Sequence, residues 1–430
     1  MILWAINASG RKVIECMIIS NCKIRGKEGL WDVVCQDGIF SAIRKHGEAE
    51  VPADAYDAKG NMLMPPFVEP HIHLDCVLTA GIPHYNMSGT LFEGISTWHE
   101  YKTTQELKIP EIKDRARTAL RSMAEFGVQF VRTHVDVTET SFQSVKALLE
   151  LREELRGIME IQLVAFPQNG ILSVRGGKEL MERAMDMGVD CVGGIPHYEF
   201  CREYGVESLQ YIFDLAEKHG AMVDVHCDEM DDEQARYLEV LATKAWERGW
   251  GPKTVAAHTC AMGSYNDAYT TKLFRLLKES EINFNSCPTE SMHLQGRADS
   301  YPKRRGITRI RQLHEAGINI ALGQDSIADP WYPIGVGNLL RVLEMGLHAE
   351  HMMGYTELQT ALDLISENGA KNLRLGETYG IAEGRPANCI LLNGKDDYEV
   401  IRFQSAVLLS VHNGRVLSEK TPAAATVYDI

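Results

Sequence analysis

From Gly60 onward the chain alternates short apolar runs with longer amphipathic stretches, and it does so eight times. The runs are Asn61–His73, Val128–Val137, Glu160–Gln168, Val189–His197, Ala221–Glu229, Thr254–Cys260, Glu281–Pro288 and Ile318–Ser326. None shows a clean polar–apolar alternation, which suits parallel strands buried on both faces. Helical periodicity is read over Pro110–Phe126, Ser144–Leu155, Gly177–Met187, Val206–His219, Asp232–Glu247, Tyr269–Ser280 and Arg309–Ala316. Asp231 reads as a good cap for the helix after it, Gly205 as a poorer one. Eight strand–helix units imply an α/β chain built on a (β/α)8, TIM-like barrel.

The flanks differ. Met17–Ile24, Leu30–Cys35 and Gly38–Arg44 are short and rich in β-branched or aromatic residues, with a turn signal at Gln36-Asp-Gly38. Thr356–Glu367 looks helical, and Ala387–Leu392, Ser405–His412 and Gly414–Leu417 are again short strands. The two ends are expected to meet as a small β-sandwich: residues 1–62 and 376–430 around a barrel of residues 63–375. Met1–Cys16 reads poorly, and Met17 is an alternative start, which would make the first residues an upstream extension.

A barrel of this kind carries its chemistry at the C-terminal ends of its strands. Here the first strand ends in His71 and His73, the fifth in His226-Cys-Asp-Glu229, the sixth in His258, and the eighth in Asp325-Ser326. Singly, each has an ordinary explanation. The histidines could sit in a loop or in the core, Glu229 could be a solvated acid, and Asp325 could cap a helix. Jointly, so many titratable groups at equivalent strand ends are costly to bury without a use. Three or four nitrogen and oxygen ligands with room for water are the pattern of a catalytic divalent metal. His219, His314 and His351 fall in helical stretches and read as surface or packing residues; His134 and His197, near strand ends, read as supporting groups.

At these residues the chain resembles the amidohydrolase superfamily, and within it the bacterial cytosine deaminases. The matching segments are Pro65–His73, Leu163–Gln168, Asp224–Glu229, His258-Thr259, His293–Arg297, Tyr301–Thr308 and Asp329–Pro333, which run through nearly the whole barrel. The resemblance implies one divalent metal, zinc or ferrous iron, held by His71, His73, His226 and Asp325. It implies Glu229 as a proton shuttle to a ring nitrogen, and His258 and Asp325 beside the attacking hydroxide. Gln168 would pair with the carbonyl edge of the base, and Phe166 and Trp331 would shape the pocket. Two-metal relatives carry a lysine at the end of strand four; Val192–His197 has none, so one metal is expected.

The implied activity is hydrolytic deamination of a free aminopyrimidine, cytosine or 5-methylcytosine. Another aminoazine or a cyclic amide, such as isoguanine or creatinine, is the alternative, and a non-catalytic barrel the third reading. The cytosine deaminases carry a second aspartate where this chain has Ser326; Gln324 and Asn285–Ser291 also depart from the family text. A serine leaves room at the C5 edge of the base and suits a 5-methyl group.

Composition narrows the partners. A formal net charge of −15 argues against a nucleic-acid partner. The full signature of polynucleotide deaminases, His-x-Glu together with Pro-Cys-x-x-Cys, is also absent, because no Pro-Cys-x-x-Cys occurs. No apolar run is long enough to span a bilayer, and no signal peptide is read. Ten scattered cysteines without a Cys-x-x-Cys pair point to free thiols in the cytoplasm. The resemblance adds a homo-oligomer.

Overall fold

The computed structural model describes residues 4–6, 12–14, 16–421 and 425–428. Trp4–Ile6 and Lys12–Ile14 form an antiparallel pair. The other residues of the first fifteen, to which the idea of an upstream extension refers, lie outside the described residues.

The eight expected strands form one parallel sheet in chain order. They are β1 (Phe67–Ile72), β2 (Val128–Asp136), β3 (Glu160–Phe166), β4 (Cys191–Gly194), β5 (Met222–Cys227), β6 (Thr254–His258), β7 (Asn283–Ser286) and β8 (Ile320–Leu322). A parallel bridge from Ile72 to Asp325 joins the last strand to the first and closes the barrel. Helices α1 (Leu91–Thr104) and α2 (Ile109–Glu125) follow β1. Helix α3 (Tyr237–Arg248) follows β5, and the short α4 (Pro288–Leu294) follows β7. The main core lies between the sheet and its helices, with Leu120, Met123, Phe142, Leu148, Phe213, Leu241 and Leu343 all buried.

The N- and C-terminal segments build a separate mixed sheet. Cys16–Ile24 runs at its centre between Trp31–Gln36 and Met62–Met64, and Cys389–Leu392 extends it on the far side. Its own core includes Ile19, Val33, Phe40, Leu391 and Val411. Arg25 ties this sheet to the segment after the barrel through Asp397 (2.6 Å) and Asp363 (2.6 Å).

Several boundaries differ from expectation. The run Asn61–His73 is two strands, one in each sheet. Pro65 and Pro66 have no N–H to give a ladder, so the chain crosses from one sheet to the other there. Asp231 caps no helix: it accepts from the Gly296 N–H (2.6 Å), and α3 begins only at Tyr237. The first N–H groups of α3 instead meet the buried Asp228 carboxylate, Tyr237 at 3.1 Å and Leu238 at 2.9 Å. Gly205 lies inside a helix that spans Arg202–His219 rather than at its cap. Thr356–Glu367 breaks into a short helix, Tyr355–Leu358, and a 3-10 turn, Ala361–Ile365. Helix α1 was not expected, although Thr90 and Glu93 have capping spacing. The Thr90 side chain accepts from the Glu93 N–H, and the Glu93 carboxylate accepts from Met87 and Ser88. Its Gly94, Thr97 and Trp98 weaken the helical signal.

Candidate active site

At the mouth of the barrel, side chains from β1, β5 and β8 converge. Nε2 of His226 lies 3.2 Å from Nε2 of His71 and 3.0 Å from Nε2 of His73. Oδ1 of Asp325 lies 3.5 Å from both His71 Nε2 and His73 Nε2. Burial holds all three imidazoles well below their usual pKa, so they are neutral donors whose ring nitrogens point at one another. Three neutral nitrogens and one carboxylate oxygen crowded this way fit a divalent cation, and zinc or ferrous iron suits such a donor set. His134, His258 and Cys287 are also close enough to ligate. Two of these turn elsewhere: His134 Nε2 faces Asp224 Oδ1 at 3.4 Å, and His258 Nδ1 faces Glu229 and Asp325.

Asp325 has two roles in this geometry. Oδ1 faces the histidines, while Oδ2 lies 3.7 Å from His258 Nδ1. Glu229 Oε1 is also 3.7 Å from His258 Nδ1. Both His258 (φ 64°) and Asp325 (φ 67°) adopt the left-handed backbone region, which turns their side chains at the ends of β6 and β8. Burial, with Glu290 nearby, holds the Glu229 carboxyl well above the usual carboxylate range.

These groups face a small, partly open cavity at the mouth of the barrel. Gln168, Glu229, His258, Asp325, Ser326 and Trp331 all line it. Phe166 does not: it lies behind the wall, stacked on the His226 ring at 4.0 Å between centroids. Its place is to fix a candidate ligand rather than to touch what enters. His197 is half-buried, and desolvation lowers its pKa to about 3. His134 packs 4.1 Å from His71, beneath which Arg132 donates to Asp224 at 2.9 Å.

Helix α1 forms the roof. Leu91 lines the cavity, and Gly94 meets the Trp331 indole so closely that a Cβ would sit 2.5 Å from Cδ1. Asp329 holds the Trp331 turn by accepting from the N–H groups of Trp331 (2.9 Å) and Tyr332 (3.0 Å). Gly94→Ala is therefore expected to destabilise the protein by about 1–3 kcal/mol, despite the better helix propensity of alanine. Denaturant midpoints of the two proteins check this; equal or higher stability in the variant would mean the indole moves freely.

Besides Leu91 of the unexpected α1, one lining residue that bears chemistry escaped sequence reasoning. Glu290, in the first turn of α4, is buried beside Asp325 and Ser326 with Oε2 unpartnered. Burial, then the charges of Asp325 and Asp329, push its carboxyl well up. It lies past the end of β7, where no histidine or acid marks the strand terminus, so the only signal was the unusual text of Asn285–Ser291.

Comparison with known proteins agrees with this architecture. A model of the amidohydrolase family matches residues 54–418. N-isopropylammelide isopropyl amidohydrolase of Pseudomonas sp. (strain ADP) is 28% identical over 411 residues, 93% of this chain and 96% of its own. Pterin deaminase of Rhizobium rhizogenes is 24% identical over 92% of this chain and 90% of its own. The crystal structure of 5-methylcytosine deaminase from Klebsiella pneumoniae liganded with 5-fluorocytosine is 52% identical, with a TM-score of 0.93. That match covers 96% of this chain and 99% of the other.

Proposed function

The chain belongs to the amidohydrolase family, and within it we propose that it hydrolyses the exocyclic amine of a free cytosine or 5-methylcytosine, releasing ammonia. The observation that carries this reading is the 52% identity, spanning almost the whole of both chains, to a 5-methylcytosine deaminase. It is supported by the cavity, which gathers Gln168, Glu229, His258, Asp325 and Ser326 around one point.

We assign His71, His73, His226 and Asp325 as the metal ligands. A divalent ion held there supplies a hydroxide nucleophile at neutral pH by lowering the pKa of water. The remaining steps belong to the protein. The Gln168 carboxamide pairs two-pronged with the cis-amide edge of the base, fixing its orientation. Glu229, kept protonated by burial, donates to the ring nitrogen next to the amine-bearing carbon. The carbon can then become tetrahedral. His258 and Oδ2 of Asp325, on the same side of the cavity, hold the proton of the attacking water. That proton passes to the amine, which leaves as ammonia, while the hydroxyl proton of the tetrahedral carbon returns to Glu229 and leaves the ring a carbonyl. Trp331 and Leu91 of the α1 roof wall the cavity and stand against the base that enters it.

Ser326 sits in the cavity wall, and we assign it to the C5 edge of the base, where a hydroxymethyl group tolerates a substrate methyl. One methyl in an apolar pocket is worth about 1–3 kcal/mol. Ser326→Asp is accordingly expected to move the ratio of kcat/KM for 5-methylcytosine over cytosine down by about tenfold or more. An unchanged ratio would remove Ser326 from the specificity argument. Product analysis tests the reaction itself: 5-methylcytosine should yield thymine and one ammonia, whereas ring opening without ammonia would place the enzyme among the cyclic amide hydrolases.

For the setting, the reading is a homo-oligomer acting in the cytoplasm on free bases. Ten unpaired cysteines suit a reducing compartment. Among the described residues no helix is long and apolar enough to cross a membrane.

A further inference from the structure

The barrel is closed at one place by very little. Beyond the strand ends the flanking loops are joined by Leu78 N–H to the Ile327 carbonyl and Ala80 N–H to the Ala328 carbonyl, 2.9 Å each. Between β8 and β1 themselves the pairing is the single bridge from Ile72 to Asp325, made by two backbone hydrogen bonds. Asp325 N–H donates to the His71 carbonyl (2.9 Å), and His73 N–H donates to the Asp325 carbonyl (3.2 Å). Three of the four assigned ligands thus hang on this seam, and the seam itself has few bonds.

A fully buried carboxylate bridges it. Glu69 lies two residues before His71, with no exposed surface. Its Oε1 accepts the His71 N–H at 3.0 Å. The same carboxylate accepts the Gln324 N–H, at 3.1 Å through Oε1 and 3.0 Å through Oε2. Gln324 directly precedes Asp325. One side chain on the first strand therefore grips the backbone at one ligand and beside another, on opposite sides of the seam. The space for it is made by Gly323, where a Cβ would lie 2.7 Å from Glu69 Oε1 and 3.2 Å from His71 Cβ. This glycine has an ordinary negative φ, so it is needed for close approach and not for its backbone freedom.

The grip matters because Asp325 stands in the left-handed region (φ 67°), a less favourable conformation that constraints on its neighbours help to hold. Pinning the N–H of the preceding residue is one such constraint. Pinning the N–H of His71 to the same carboxylate sets the two ligand backbones at one separation.

We propose that Glu69 is a positioning residue for the metal site: it locks the β1–β8 seam so that His71, His73 and Asp325 face a single ion. This rests on the reading of those residues as ligands, but not on the identity of the substrate. The groups hydrogen-bonded to its oxygens, the His71 and Gln324 N–H groups, are both donors, so this place calls for acceptor oxygens. The glutamine of Glu69→Gln keeps one acceptor and turns a competing NH2 toward the backbone.

The test measures zinc affinity by competition with a chromophoric chelator, on wild type, Glu69→Gln, Glu69→Asp and Gly323→Ala. Folding of each metal-free protein is followed by circular dichroism. Loss of a group that orients ligands weakens metal binding by about 10- to 100-fold. Glu69→Gln and Gly323→Ala are expected to show that loss in proteins that still fold, with faster zinc release. Glu69→Asp, which keeps the carboxylate on a shorter arm, is expected to recover part of the affinity. A folded Glu69→Gln protein with wild-type zinc affinity overturns the proposal and leaves the ligand assignment standing. A wild-type chain that takes up no zinc or iron overturns the ligand assignment as well.

Discussion

Glu229→Gln lowers kcat for deamination by about a hundred- to ten-thousand-fold, with metal content and thermal midpoint near wild type. The size follows from what the substitution removes. Glu229 is buried (3% exposed) in a cavity lined by no lysine or arginine, and desolvation holds its proton. Glutamine has the same shape and can still donate a hydrogen bond, but it cannot transfer a proton to the ring nitrogen or take one back from the hydroxyl of the tetrahedral carbon. Binding should suffer less than turnover, so KM changes little and kcat carries the loss. Steady-state kinetics on metal-replete protein check this. A kcat within about threefold of wild type would move the proton transfers to another group, such as Glu290, the other cavity carboxyl that burial pushes up.

Metal removal is expected to have the other large effect. Stripping with a chelator should abolish measurable turnover, since no side chain in the cavity can itself supply hydroxide at neutral pH. It should also lower the thermal midpoint. An ion present at a thousand times its Kd contributes about 4 kcal/mol to stability. Its loss also leaves His71, His73, His226 and Asp325 buried around one another without the ion they fit. Zinc and ferrous iron, added back separately, should each restore the midpoint and some turnover. Turnover that survives complete stripping would rule out the hydrolytic reading of the site.

The parts of this molecule that sequence could disclose are those written in the spacing of residues along single strands. His71 and His73, His226 and Glu229, His258 and Asp325 each end a run of apolar residues, and a barrel brings strand ends together. The eight strands were legible for the same reason. Contacts that depend on a second segment were not. Glu290 reaches the cavity from a helix turn after β7, and nothing local distinguishes it from a surface acid. Phe166 sits two residues before Gln168 at the end of β3, yet it stacks behind His226 instead of facing the cavity. Asp231 has the composition of a helix cap, but Asp228 has the position, because the chain leaves β5 through a left-handed turn (φ 53° at Asp228) that buries it under α3. Helix α1 was hidden by its own function: Gly94 and Trp98 serve the roof and weaken the helical pattern at the same time.

The central claim is most directly tested by measuring ammonia release from cytosine and 5-methylcytosine in parallel on metal-reconstituted protein. The account expects both to react, with kcat/KM for 5-methylcytosine the higher because Ser326 leaves its methyl group room. No ammonia from either base, in protein shown to hold its metal, would contradict the proposed substrate class.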